Sequence, residues 1–172
     1  TLGDIDLANA AMIPGSSPGL MTFDGSLTTN NVSLEIEIGG LIASADYDRV
    51  EVTGSALLDG ELVLSLVDLG NCVFSPSAGD TFDVFEAAGG ISGEFDALVA
   101  PKLPPGLAWN ANYGNNLLTI EVLPTSTADF DGNGIVDGQD LQTWETGFGL
   151  NGAGDTDGDS DSDGADFLHW QR

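Results

Sequence analysis

The sequence predicts a mostly β protein with a small helical module at its C-terminal end. Two observations on the first part of the chain support this class. Residues 32–38 alternate strictly between apolar and polar side chains, which is typical of a half-buried strand. No stretch before Pro124 has helical periodicity. After Pro124, two aspartate-rich segments are each followed by apolar residues at helical spacing, which predicts one short helix after each segment.

Residues 1–124 are predicted to form an all-β domain. In its clearest strand, the four apolar residues face the core and the polar ones face water; the apolar residues are Val32, Leu34, Ile36 and Ile38. Residues 47–53 alternate in the same way and place Val50 and Val52 inward. Two hairpins are predicted, one around Asp59-Gly60 and one around Asn115-Asn116, because such pairs favour tight turns.

A weak internal repeat leaves two β architectures open. Residues 25–28 and 54–57 look alike, and each leads into a similar strand. A repeat of this length indicates either stacked rungs of a short β-solenoid or duplicated hairpins in a sandwich or jelly roll. The region also resembles the last rungs of the autotransporter-like β-helix passengers of secreted bacterial proteins.

Residues 125–128 form a predicted linker to a second, stronger repeat. Residues 129–140 and 155–166 are related by an offset of 26 residues, which maps Asp137 onto Asp163 and Trp144 onto Trp170. In both copies, aspartates recur at alternate positions and a further aspartate stands at position 12.

This spacing matches a twelve-residue calcium loop, in which oxygens at positions 1, 3, 5, 7, 9 and 12 surround the ion. Two calcium ions are therefore expected, one in each loop. The predicted ligands of the first loop are Asp129, Asp131, Asn133, the carbonyl of Ile135, Asp137 and Asp140. Those of the second loop are Asp155, Asp157, Asp159, the carbonyl of Asp161, Asp163 and Asp166.

The second loop departs from the pattern at two positions. Position 6 needs a sharp turn and is Gly134 in the first loop, but Ser160 in the second. Position 8 is the apolar Val136 in the first loop, where it can pair the loops back to back, but Ser162 in the second. We therefore expect the second site to be weaker or more distorted.

The duplicated loop-and-helix pattern, closed by aspartate and with no helix before Asp129, resembles the dockerin family. The resemblance covers about a quarter of the chain, residues 129–172. It implies calcium binding at the twelve positions above and docking to a β-sandwich cohesin domain. The family's recognition positions, 10 and 11 of each loop, are Gly138 and Gln139 in the first loop and Gly164 and Ala165 in the second.

The aromatic residues after the loops have two interpretations. Trp144 and Phe148 follow the first loop, and Phe167 and Trp170 follow the second. A module of this length needs most of its apolar residues for its own core, and this is the favoured interpretation. In the alternative, Trp144 or Trp170 anchors a protein partner.

The net charge of the chain limits the kinds of partner that it can bind. The 172 residues include 28 acidic and three basic side chains, for a net charge of −25. Such a surface repels nucleic acid and anionic membranes and attracts divalent cations.

No apolar run reaches eighteen residues, so membrane insertion is not expected. The start at Thr1 fits a mature protein without its signal peptide, or an arbitrary boundary, and calcium loops favour an extracellular or cell-surface location.

No catalytic constellation is evident, so the chain is not expected to be an enzyme. His169 is the only histidine and Cys72 the only cysteine, which leaves no zinc cluster and no Cys–His pair near a nucleophile motif. Glu35 and Glu37 share the exposed face of one strand, which is the ordinary arrangement of solvated carboxylates.

Three functions fit the sequence. The preferred one is an extracellular structural or assembly protein whose calcium-folded module joins copies of the chain into filaments or a surface layer. The second is a dockerin-bearing cargo that binds a cohesin on a separate scaffold. The third is a carbohydrate-binding module in which Trp109 and Tyr113 stack on sugar rings, although both aromatics are more simply explained as covers of the core.

Overall fold

The computed structural model describes residues 3–15, 18–70, 73–104, 106–125, 128–131, 135–150, 152–156 and 159–171, except for the side chain of His169. The chain divides into two units. The β-unit comprises Thr1–Leu103 and Ala108–Leu123, and the C-terminal unit comprises Pro104–Leu107 and Pro124–Arg172. Among the described residues, neither helix is long and apolar enough to cross a membrane.

Strands follow one another through most of the chain. In order they are β1 (Ile5–Ala8), β2 (Ala11–Met12), β3 (Leu20–Phe23), β4 (Leu27–Asn30), β5 (Val32–Ile38), β6 (Arg49–Val52), β7 (Ala56–Leu58), β8 (Gly60–Leu66), β9 (Thr81–Ala87), β10 (Ile91–Gly93), β11 (Ala97–Val99), β12 (Leu107–Tyr113) and β13 (Leu117–Pro124). The prediction of a mostly β chain is confirmed.

The strands stack in three sheets; each of the first three turns of the chain adds one strand to every sheet, and the last turn adds both β12 and β13 to the third. Sheet I has the order β1-β4-β7-β10 and sheet II the order β2-β5-β8-β11, with parallel pairing throughout. Sheet III has the order β3-β6-β9-β13-β12; β3, β6 and β9 are parallel, and β13 is antiparallel to β9. Of the two architectures that the sequence left open, this pairing is that of a short β-solenoid.

The core of the solenoid lies between the three sheets and is filled mainly by alternate residues of β5, β6, β8, β9 and β13. All four apolar residues of β5 are fully buried, whereas Ser33, Glu35 and Glu37 on its other face are partly exposed. Val50 and Val52 of β6 are also buried. The predicted inward and outward faces of both strands are confirmed, because side chains alternate across a strand.

The hairpin predicted at Asp59-Gly60 is wrong. β7 pairs with β4 and β10, whereas β8 pairs with β5 and β11, so the two strands belong to different sheets. Gly60 has φ +110°, and a Cβ there would lie 2.2 Å from the Val32 carbonyl oxygen. A solenoid corner thus needs a glycine with positive φ, just as a tight hairpin turn does. The hairpin around Asn115-Asn116 is confirmed, since β12 and β13 are adjacent and Gly114 N–H donates to the Leu117 carbonyl at 2.8 Å.

The repeat near Gly25 and Gly54 marks two stacked turns of the solenoid, since Leu27 pairs with Ala56. Gly25, Gly54 and Gly89 form a column at one corner, here called the glycine column. Gly54 N–H donates to the Gly25 carbonyl at 2.8 Å, and Gly89 N–H donates to the Gly54 carbonyl at 2.9 Å. A Cβ on Gly54 would lie 2.6 Å from the carbonyl carbon and oxygen of Gly25. The column therefore lets adjacent turns approach to hydrogen-bonding distance.

The C-terminal unit contains the helices α1 (Gly138–Gly147) and α2 (Gly164–Trp170). The short helix expected after each aspartate-rich segment is present, but it begins two residues before the segment ends. The first turn of α1 contains Asp140, and the first turn of α2 contains Asp166. Carboxylates in this position are favoured by the partial positive charge of a helix N-terminus.

The glycine column yields a stability prediction. Gly54→Ala should lower the free energy of unfolding by about 1–3 kcal/mol, because the added methyl overlaps backbone atoms that cannot rotate away. Gly3→Ala is the matched control, since a Cβ on Gly3 meets no atom within 4 Å. Urea unfolding of both variants measures the difference. Equal stabilities would contradict close backbone stacking at this corner.

Candidate metal centres

Asp140 closes the first aspartate-rich loop through backbone hydrogen bonds. Its side chain is fully buried. Oδ1 accepts the N–H of Phe130 at 2.7 Å and that of Asp131 at 3.2 Å, and Oδ2 accepts the N–H of Asp137 at 2.7 Å. One carboxylate therefore joins the start of the loop to its end.

The local sequence explains why Asp140 lies there. Asp137 is the N-cap of α1, and its Oδ1 accepts the N–H of Gln139 at 2.7 Å. Asp140, three residues later, returns a hydrogen bond to the N–H of Asp137. This reciprocal pair is a capping box, which fixes both the beginning of the helix and the direction of the Asp140 side chain.

The second loop repeats these contacts at the same offset of 26 residues. Asp166 is 1% exposed. Its Oδ1 accepts the N–H of Thr156 at 2.6 Å, and its Oδ2 accepts the N–H of Asp163 at 2.7 Å. Asp163 Oδ1 accepts the N–H of Ala165 at 2.7 Å. The sequence repeat is therefore also a repeat of hydrogen-bond geometry.

Each loop brings three carboxylates together. Asp129, Asp131 and Asp140 each offer an oxygen within 4.8 Å of the others; they are called the first triad here. The second triad consists of Asp161, Asp163 and Asp166 and meets the same limit. In each triad only the closing aspartate is buried; Asp129 is partly exposed, and Asp131, Asp161 and Asp163 are exposed. Both triads can hold a metal ion.

The remaining predicted ligands have individual outcomes. Asn133 and Asp157 lie outside the described residues, and so does Gly134 at position 6. The side chain of Ile135 is exposed, and only its carbonyl was predicted to bind. Outside the two triads, each remaining predicted carboxylate accepts a backbone N–H: Asp137 that of Gln139, Asp155 that of Ser160 at 2.9 Å, and Asp159 that of Asp161 at 3.1 Å.

The two triads use different loop positions. The first contains positions 1, 3 and 12, whereas the second contains positions 7, 9 and 12. Asp161 was predicted to contribute its carbonyl, but the structure brings its carboxylate to Asp163 and Asp166. Position 7 of the first loop is Ile135, which has no carboxylate, and Asp157 at position 3 of the second loop lies outside the described residues. The expected distortion of the second loop stays a prediction.

The electrostatics of Asp140 favour the ionised form. Burial by itself raises the pKa of this carboxyl, but the backbone N–H groups of Asp137, Asp131 and Phe130 outweigh burial and hold the pKa below its ordinary value. Asp140 is therefore negatively charged at neutral pH, as a cation ligand must be.

Ser162 has a role that the sequence did not reveal. It appeared only as a polar departure from the apolar position 8, yet it is fully buried. Its Oγ accepts the N–H of Gly154 at 2.8 Å, and its carbonyl accepts the N–H of Gly149 at 3.0 Å. Val136, its equivalent in the first loop, is exposed. Ser162 thus fixes the second loop to the segment between the halves, and no local pattern signals this.

The aromatic residues of the C-terminal unit pack against one another, although none of them is fully buried. The Trp144 ring centroid lies 4.9 Å from that of Phe167 and 5.0 Å from that of Phe148, and Phe167 stacks on Trp170 at 5.8 Å. Trp144 Nε1 donates to the carbonyl of Asp163 at 2.9 Å. These contacts favour an internal role for Trp144 over that of a partner anchor.

The other candidates have structural roles in the β-unit. Trp109 Nε1 donates to the Pro101 carbonyl at 2.9 Å, and the Tyr113 hydroxyl accepts the N–H of Phe95 at 3.1 Å. Burial raises the pKa of Asp48, against the opposing effect of the N–H groups of Glu37 and Gly19 that its carboxylate accepts. Cys72 and the His169 side chain lie outside the described residues.

The backbone at Ser160 gives a second prediction. Ser160 has φ +79°, a left-handed conformation that side chains with a Cβ disfavour. Ser160→Gly should raise the free energy of unfolding of the C-terminal unit by about 1 kcal/mol, because it removes this strain. Ala153, which lacks a positive φ, provides the control: Ala153→Gly should lower stability. Thermal unfolding followed by helical circular dichroism compares them. A loss of stability in Ser160→Gly would contradict the strain.

No protein-family model matches the chain, and no curated protein matches it either.

Proposed function

We propose that the chain is a non-catalytic, extracellular calcium-binding protein with a structural or assembly role. In this proposal the C-terminal unit is dockerin-like, binds two calcium ions, and mediates protein–protein association, including self-assembly of the chain into filaments or a surface layer. The single observation that carries the proposal is the duplicated closing carboxylate, Asp140 and Asp166, each bonded to equivalent amides of its own loop.

The chemistry of the triads supports calcium over softer metals. Every member of both triads is an aspartate, so the donors are oxygens. Oxygen donors suit hard cations such as calcium and magnesium, whereas zinc and copper sites use histidine and cysteine. The loop spacing, with oxygens at alternate positions around a flexible turn, favours calcium, which accepts six to eight ligands, over magnesium, which demands a strict octahedron.

Exposed apolar residues support association with a protein. The C-terminal unit exposes five large apolar side chains: Ile135, Val136, Phe148, Leu150 and Leu168. Apolar surface on so small a unit favours burial against a partner. Within the described residues, β1, β2 and β3 pair on one side only, and such edges accept further strands. A second copy of the chain offers both an exposed apolar surface and strand edges that are paired on one side only.

Charge connects calcium to assembly. At a net charge of −25, copies of the chain repel one another. Two bound calcium ions would remove four of these charges, and they would do so within the unit that exposes the apolar residues. Calcium is abundant outside cells, where low-affinity sites fill.

The two alternative functions are docking to a separate cohesin-like domain and carbohydrate binding, and the observed contacts support them to different degrees. Docking to a separate cohesin-like domain would use the same C-terminal unit and predicts a calcium-bound monomer. For carbohydrate binding, the polar atoms of Trp109 and Tyr113 are bonded within the β-unit, and the Trp109 ring lies 6.1 Å from Phe82. These contacts favour a covering role for both aromatics.

The calcium proposal predicts an order of effects between equivalent residues. Asp129→Ala should weaken calcium binding about tenfold or more, because Asp129 belongs to the first triad. Asp155→Ala, its equivalent in the second loop, should have a smaller effect, because Ser160 and Ser162 replace the glycine and the apolar residue of the calcium-loop pattern there. Isothermal titration calorimetry of the whole chain measures both.

The control for this experiment is Glu61→Gln, which removes one exposed carboxylate from β8 and should leave calcium affinity unchanged. Equal losses in all three variants would mean that calcium binds to general negative charge rather than to the loops. The reverse order of the two aspartates would show that the second loop is the better site.

The assembly proposal predicts calcium-dependent particles. At millimolar calcium the purified chain should form long, regular particles that dissolve when EDTA removes the ion, because metal loss unfolds the loops and restores repulsion. Light scattering with negative-stain microscopy tests this. A monodisperse monomer under both conditions would contradict self-assembly and favour docking to a separate partner.

A further inference from the structure

We infer that Trp144 is a positioning residue that couples the two candidate metal centres, so that filling one favours filling the other. The inference rests on the calcium-binding function proposed above and deepens it. Two independent ions would need no connection between the loops. The C-terminal unit contains a continuous set of contacts from the first triad to the second, and Trp144 is its central member.

The first link joins the first loop to α1. Asp140 belongs both to the first triad and to the first turn of α1. Its carboxylate also holds the N–H groups of Phe130 and Asp131 at the start of the loop. An ion bound to Asp140 would therefore order the loop and the beginning of α1 together, since metal binding and local folding are linked.

The second link joins α1 to the second loop. Trp144 follows Asp140 by one helical turn. Its Nε1 donates to the carbonyl of Asp163 at 2.9 Å, and its ring lies 4.9 Å from that of Phe167. Asp163 and Asp166, which immediately precedes Phe167, both belong to the second triad. Trp144 thus contacts Asp163, just before α2, and Phe167, within α2. These two residues lie on either side of Asp166, the closing carboxylate of the second loop.

Of the two equivalent tryptophans, Trp144 alone donates a hydrogen bond to the second loop among the described residues. Trp170 occupies the position equivalent to Trp144, and its ring stacks on Phe167 with an interplanar angle of 13°. However, the Trp170 Nε1 atom is buried and has no hydrogen-bond partner among the described residues. Replacing tryptophan by phenylalanine therefore removes a hydrogen bond to the second loop at position 144 but removes none among the described residues at position 170.

Coupling between two binding sites is reciprocal and has a measurable size. A single neutral hydrogen bond in this position corresponds to a change of roughly fivefold in affinity. We expect Asp140→Asn, which damages the first centre, to weaken calcium binding at the second loop by about this factor. Trp144→Phe, which keeps an aromatic ring but removes the N–H donor, should weaken the second loop by a similar factor.

The test is a double-mutant cycle on the whole chain. Calcium is titrated into the wild type, Asp140→Asn, Trp144→Phe and the double variant, and occupancy of the second loop is followed by the amide NMR signals of Thr156 and Ala165. These amides donate to Asp166 and Asp163, two members of the second triad. In the Trp144→Phe background, Asp140→Asn should no longer change the affinity of the second loop.

Trp170→Phe is the matched control and should leave both the affinity and the effect of Asp140→Asn as they are in the wild type. The coupling is overturned if Asp140→Asn leaves the second loop unaffected in the wild type, or if Trp170→Phe acts like Trp144→Phe. Either result leaves calcium binding itself intact. Absence of calcium uptake by the wild type would instead overturn the proposed function. The comparison of wild type with Asp140→Asn decides the coupling even if Trp144→Phe does not fold.

Discussion

Asp140 and Asp166 impose the constraint on which the C-terminal unit depends. A carboxylate removed from water must be compensated by donors, and each of these two receives backbone N–H groups from both ends of its own loop. The loops thereby acquire a defined curvature. The same two carboxylates bring the remaining acids of each triad within reach of one cation. The curvature of each loop and the closeness of its carboxylates thus both involve the closing aspartate.

Negative charge that is concentrated in this way has a cost, and a divalent cation offsets it. Three carboxylates within 4.8 Å repel one another strongly unless a cation or protons intervene. At Asp140 the backbone N–H groups keep the carboxyl ionised, so protonation is disfavoured there. A cation bound by all three carboxylates would offset this repulsion.

The β-unit depends on a different constraint, namely the close approach of successive turns. The parallel sheets require corners at which one turn lies directly on the next, and the glycine column supplies one of them. A second corner contains Asn9 and Asn31, both with φ +51°, and Asn31 Nδ2 donates to Asn9 Oδ1 at 2.8 Å. Thr29 adds a buried hydroxyl that accepts the N–H of Asp59 at 2.8 Å. Polar contacts between successive turns thus fix how the strands of one turn align with those of the next. The apolar core alone would not fix this alignment.

Much of this could be predicted from sequence, for identifiable reasons. Alternation in β5 gave the buried face, because side-chain direction in a strand depends only on parity. Asp59-Gly60 gave the wrong connection, because a left-handed glycine suits a hairpin and a solenoid corner equally. The repeat located the closing aspartates, since their spacing is set by a loop of fixed length.

Other features depend on tertiary contacts and carry no local signal. The burial of Ser162 requires Gly149 and Gly154 to lie beside it. The Asp161 carboxylate enters the second triad through a loop conformation that includes the left-handed Ser160. The partner of Trp144 is a carbonyl in the other half of the unit, which spacing within one half does not predict.

The central claim is that each buried aspartate closes a loop around its own calcium ion. A crystal structure of the whole chain grown in calcium, with the ions located by anomalous scattering, tests it most directly. The account predicts two anomalous peaks, one about 2.3–2.6 Å from a carboxylate oxygen of Asp140 and the other at the same distance from Asp166. Peaks found only among other surface carboxylates, with none at these two aspartates, would contradict it.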